Sequence, residues 1–93
     1  MEYFKKLNAI RDLLKAEFEN SEVSVIYESD SFAQTFVISE ENKIYLVKIR
    51  RSFIDDHKVN DIPNVLKEAN IRNYFNDKDI KRVTIDTSGI TTE

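Results

Sequence analysis

Apolar side chains at Tyr3, Leu7, Ile10, Leu14 and Phe18 recur every three or four residues, with Phe4 and Leu13 widening the stripe. That spacing is the period at which one face of a helix meets a core, and it predicts a helix over residues 3–19. Asn20 and Ser21 interrupt it, after which Val23, Val25 and Tyr27 alternate with Ser24, Ile26 and Glu28 as strand side chains do. Ser29-Asp30-Ser31 supplies a turn. The β-branched and aromatic runs Phe32–Ile38 and Ile44–Ile49 then read as two more strands joined at Glu40-Glu41-Asn42-Lys43.

Asp55-Asp56-His57-Lys58 reads as a charged connection, and Asp61 before Ile62-Pro63 as a helix start, with the Asp side chain capping free amides. The second helix carries Ile62, Val65, Leu66 and Ala69 and breaks at Asn70, which tolerates the left-handed conformation; Ile71, Tyr74 and Phe75 are available to continue it. After a turn at Asn76-Asp77-Lys78-Asp79, Ile80–Ile85 reads as a final strand and 87–93 as a flexible tail. The order is α-β-β-β-α-β, an α+β fold in which an antiparallel three-stranded meander plus a fourth strand is packed by two helices.

In this arrangement Phe32, Phe36 and Ile38 face one way while Ala33 and Val37 face the other; Tyr45, Val47 and Ile49 likewise oppose Ile44 and Leu46. Both faces are apolar. Either helices cover both, or one face is left for a partner or for a second copy of the chain.

A length of 93 residues supports one core, so residues 1–93 are expected to form a single domain. The hydrophobic fraction of 41% and ten aromatic residues (6 Phe, 4 Tyr) supply enough apolar surface to argue against disorder. The absence of cysteine removes disulfides, thiol catalysis and thiolate metal sites, and favours a reducing compartment, the cytoplasm. No window approaches the ~20 apolar residues of a membrane span. Seventeen acidic side chains against 14 basic give a net charge of -3, the wrong sign for general phosphate neutralisation, so direct nucleic-acid binding is disfavoured.

The single glycine, Gly89, lies near the C-terminal end and no phosphate-cradling loop exists. His57 is the single histidine, in an acidic setting that offers no triad; neither a cofactor nor a metal is expected. The element order is similar to the core of the restriction-endonuclease-like nucleases, whose motif sets an Asp on one strand and an acidic-x-Lys on the next. Asp30 and Glu41-Asn42-Lys43 stand nearest to that motif, whereas the in-strand triplet Leu46-Val47-Lys48 has no acid. The resemblance implies a nuclease-like or nucleic-acid-binding domain that is catalytically degenerate.

A meander alternates direction, which would gather Glu17, Glu19, Glu22, Glu40 and Glu41 at one pole. Carboxylates at a helix C-terminus oppose its dipole, so stability alone does not account for them. The expectation is a non-catalytic protein-interaction module of inhibitor, adaptor or immunity type, of the general kind that mobile elements encode. It would dock this acidic pole on a basic, nucleic-acid-binding site of a larger protein. A second candidate interface is the face of Ile44 and Leu46, where Lys48 and Arg50 add a basic rim suited to dimerisation.

Overall fold

The computed structural model describes residues 2–93. Its five-stranded sheet is ordered β1 (Glu22–Glu28), β2 (Ala33–Glu40), β3 (Lys43–Arg50), β4 (Arg82–Asp86), β5 (Gly89–Thr92). The first three strands form the expected antiparallel meander. β4 runs parallel to β3, which no hairpin can achieve, so the chain must cross over. It does so through α2 (Arg51–Asp56), α3 (Ile62–Ala69) and α4 (Ile71–Tyr74), while α1 (Glu2–Glu17) precedes the sheet.

The helices share one face. Phe36 and Ile38 of β2, Val47 and Ile49 of β3, and Val83 and Ile85 of β4 form a single buried cluster with Ile10, Leu14 and Phe18 from the first helical segment. Phe53, Ile54, Ile62, Leu66, Ile71 and Phe75 from the crossover complete it. Cross-strand registry explains the cluster, since Phe36 lies opposite Val47 and Val47 opposite Val83, so alternate residues of three strands present one apolar surface. Phe18, Tyr45 and Phe75 close one end of it, with ring centroids 4.9 to 6.0 Å apart, the offset range aromatic pairs prefer.

Four expectations are corrected. Arg51–Asp56 is helical rather than a connection; its only core residues, Phe53 and Ile54, are adjacent and generate no helical period. What starts the helix is tertiary, because the Arg51 N–H donates to the Phe32 carbonyl at 2.8 Å. Residues 89–92 pair with β4 as a fifth strand instead of fraying. Asp86 Oδ1 accepts from the N–H groups of Ser88 (2.7 Å) and Gly89 (3.1 Å), and Gly89 takes a φ of 135° that other residues disfavour, so the chain reverses there. Asp61 makes no side-chain cap; its N–H instead donates to the Lys58 carbonyl at 3.0 Å and closes a turn ahead of Pro63. Phe4 does not widen the buried stripe but stands exposed.

Asn70 does break the helix, with φ 53° and its N–H bonded to the Lys67 carbonyl, and Ile71 packs back into the core as the short α4. Because one sheet face is core and the other is not, Phe36→Ala should destabilise the protein by about 3–5 kcal/mol, whereas Ile44→Ala should change it by less than about 0.5 kcal/mol. Urea unfolding measures both, and equal losses would contradict a one-sided core.

Candidate functional site

The chain reversals do bring the glutamates toward one end of the molecule. α1 ends at Glu17, Glu22 lies opposite Ser39 in the β1–β2 ladder, and Glu40 and Glu41 close the β2–β3 hairpin, Glu41 with φ 51°. The pole is nevertheless not uniformly acidic. Arg72 of α4 reaches Glu40 with its NH1 3.0 Å from Oε2 and its NH2 3.5 Å from Oε1, and the guanidinium lies 4.7 Å over the Phe18 ring. Arginine is suited to this double role because its planar fork matches a carboxylate while its face stacks on an aromatic ring.

Glu17 is half-buried beside the same junction, and its Oε1 has no hydrogen-bond partner. Burial holds its carboxyl above the ordinary value of 4.5, while the Arg72 backbone N–H and the Lys67 charge act in the opposite direction. Glu19, Glu22 and Glu41 remain exposed. Arg72 could not be anticipated, because it is 32 residues from Glu40 and only the crossover places it there.

At the other pole charges pair: Arg50 with Asp86 (3.7 Å), Arg51 with Asp55 (3.4 Å) and Lys48 with Glu28 (4.0 Å). His57 does not stand free in a loop. Its Nδ1 lies 2.8 Å from the Phe53 carbonyl and its ring stacks on Phe53 at 4.2 Å, so it finishes α2. Asp30 and Glu41 lie beyond opposite ends of the eight-residue β2, about 27 Å at the rise of a strand. No single ion could join them, and among the described residues no group of three metal-ligating side chains forms.

Ile44, Leu46, Lys48 and Arg50 do share one face, the one without helices. Ladder registry sets Ile26, Thr35, Lys48, Thr84 and Thr91 in one row across the five strands. The Lys48 side chain is 13% exposed and the threonines on either side are buried, so the long cationic stems cover much of this face themselves. Glu28 accepts a hydrogen bond from the Thr35 hydroxyl and faces Lys48, which balances the cation. Ile44, 63% exposed at the hairpin end, is the open part.

Exposed apolar side chains collect elsewhere. Of the six exposed large hydrophobic side chains among the described residues, Val25, Ile26 and Tyr27 are consecutive on β1, Phe32 follows β1 through a single 3-10 turn, and Phe4 is at the start of α1. Ile26 faces the helix-free side with Thr35 and Lys48, whereas Tyr27 and Phe4 are neighbours on the other side through a set of contacts. Tyr27 is opposite Gln34, Gln34 Nε2 donates to the Tyr3 hydroxyl at 3.0 Å, Arg51 lies 5.0 Å over the Tyr3 ring, and Phe4 packs edge-on to Tyr3.

Phe32 is the sharpest anomaly. It adopts φ 47° and ψ 56° with 66% of its surface exposed, a left-handed conformation that costs a non-glycine residue roughly 1–2 kcal/mol. The left-handed backbone caps the 3-10 turn and presents the carbonyl that receives the Arg51 N–H, but neither contact uses the exposed aromatic ring, and strain carried by a bulky exposed side chain gathers at functional positions. β1 adds seven residues of unpaired edge with no proline or lysine and with carboxylates only at its ends, Glu22 and Glu28. By contrast, β5, the other edge, is four residues long and mostly polar. Edges are ordinarily shortened, charged or covered; β1 is none of these along its middle.

A carboxyl that binds its proton more tightly folded than unfolded weakens the fold above its folded-state value, and the penalty disappears as the pH falls to the unfolded value. Glu17→Gln should therefore be more stable than the wild type at neutral pH, with an advantage that shrinks as the pH drops toward 4.5. Denaturation midpoints across that range test it; a difference independent of pH would acquit the carboxylate.

Comparison with known proteins finds no family model, no curated protein and no solved structure that matches this chain.

Proposed function

We propose that this chain is a non-catalytic protein-interaction module that takes an extended segment of a partner protein onto the free edge of β1. The observation that supports this reading is the conjunction of an unprotected apolar edge with the strained, exposed Phe32 beside it. Backbone pairing along such an edge provides affinity, and side-chain pockets at alternate positions provide selectivity.

Charge narrows the occupant. A second copy pairing all seven residues of β1 antiparallel about Val25 would set Glu22 opposite Glu28 at both ends, a like-charge contact that destabilises a ladder. A partner strand with Lys or Arg at its first and seventh positions meets the same glutamates favourably. Its second, fourth and sixth side chains would then lie beside Val23, Val25 and Tyr27 and be apolar. Glu19, Glu22 and Glu41, exposed near one end of β1, supply the acidic field that draws a basic segment in. The acidic pole thus steers, and the edge and its aromatic neighbours hold.

Selection from a displayed library of short random peptides provides the test. Enriched sequences should alternate apolar residues between basic ends and perturb the amide resonances of β1. Ile26→Lys should weaken their binding by at least about tenfold, and Glu22→Lys should reduce it mainly at low salt. Phe32→Gly should bind more weakly while gaining about 1 kcal/mol of stability as the left-handed strain is relieved. Peptides that perturb another surface, or that bind Ile26→Lys as well as wild type, would refute the edge. Light scattering showing a dimer that Ile26→Lys dissolves would instead make the occupant a second copy.

A further inference from the structure

The hairpin joining β2 to β3 and the segment joining α4 to β4 enclose a cleft of about 430 Å³, within the ~300–1,000 Å³ of small-molecule sites. Its two kinds of wall differ chemically. Lys43, Lys78 and Lys81 line it, and Tyr45, Phe75 and Ile44 supply apolar surface. The Tyr45 and Phe75 rings lie 4.9 Å apart and belong to the aromatic end of the core, so this wall is rigid.

The lysines are the informative part. Among the described residues Lys43, Lys78 and Lys81 have no carboxylate within ion-pair distance, as is true also of Lys5, Lys6, Lys15, Lys58 and Lys67; what sets the three apart is that they line one concavity. The nearby acids are engaged elsewhere. Asp77, in the cleft wall, uses Oδ1 to accept the Asp79 N–H at 2.9 Å and shape its own turn. Glu93, whose backbone is bonded to Lys81, gives its side chain to Arg82 at 2.6 Å. Three ammonium groups therefore face one concavity against the single carboxylate of Asp77 in its wall, a net positive lining in a chain of net charge -3. Low-dielectric walls concentrate such a field.

We propose that this cleft binds a nucleotide-sized phosphorylated small molecule, with its phosphates among Lys43, Lys78 and Lys81 and its ring against Tyr45 and Phe75. Lysine ammoniums act as mobile point charges that suit phosphate oxygens without demanding the planar geometry of a carboxylate. A flat apolar group is what the Tyr45 and Phe75 wall can cover. The site is independent of the β1 edge, and either can fail without the other.

Amide-resolved NMR titration with ADP, inorganic pyrophosphate and adenosine tests the assignment. ADP should shift residues 42–45 and 77–81 saturably, pyrophosphate should shift the same residues more weakly, and adenosine should bind weakest. The ADP affinity should fall with added salt. A Lys78→Glu, Lys81→Glu double variant, altered only at exposed positions, should lose at least about tenfold in affinity. The proposal is overturned if ADP shifts nothing saturably, if its shifts spread equally to Lys5 and Lys15 of α1, or if the double variant binds as well as wild type. Equal affinity for ADP and pyrophosphate would overturn the ring contact.

Discussion

A sheet of five strands built by 93 residues can be covered on one side only, and this constraint shapes the rest of the molecule. The first helix and the three of the crossover carry enough apolar surface for one layer of core, and all of it goes to Phe36, Ile38, Val47, Ile49, Val83 and Ile85. Because β4 is parallel to β3, the intervening chain has to return over the sheet, and it returns on the side where these side chains already are. The opposite side closes itself with the stems of Lys48 and Arg50 and their carboxylate partners. The β1 edge, beyond the reach of the crossover, receives no cover.

Electrostatics follows from the same geometry. The crossover that fills the core also carries Lys67 and Arg72 to the end of the molecule where the glutamates collect. Glu40 gains a bidentate partner, Glu17 is drawn into a poorly solvated position, and three carboxylates are left in water. Most of the charge there is consequently local structure, and the remainder is a field suited to guiding association more than to holding a complex. On the far side of the hairpin, the loop out of α4 brings Lys78 and Lys81, interspersed with Asp77 and Asp79, next to Lys43, so an acidic chain acquires a cleft with three lysines in its lining.

The candidate docking edge is where local preference and stability disagree. Phe32 would be more comfortable as glycine in its left-handed conformation, and Val25, Ile26 and Tyr27 would be better buried. In a chain whose other apolar residues are mostly placed to advantage, departures of this kind concentrate where something besides folding is served. That Tyr27 and Phe32 are tied to each other and to Phe4 through Tyr3, Gln34 and Arg51, with Ile26 on the other side of the same edge strand, separates them from the scattered apolar exposure normal for a protein surface.

The amino-acid sequence by itself determined the elements whose cause is local. The stripe from Tyr3 to Phe18, the alternation along the first three strands, the break at Asn70 and the α+β class follow from periodicity and from single-residue conformational preference. The tertiary structure decided whatever depends on partners distant in the chain. α2 forms because a carbonyl 19 residues earlier takes its first N–H; β5 forms because β4 offers it a ladder; Glu40 is neutralised because the crossover delivers Arg72. Which sheet face is core and which strand is left as an edge belong to the same class. Alternation shows that a strand has two faces, but only the path of the chain between strands says on which of them the helices lie and which ladder goes unfinished.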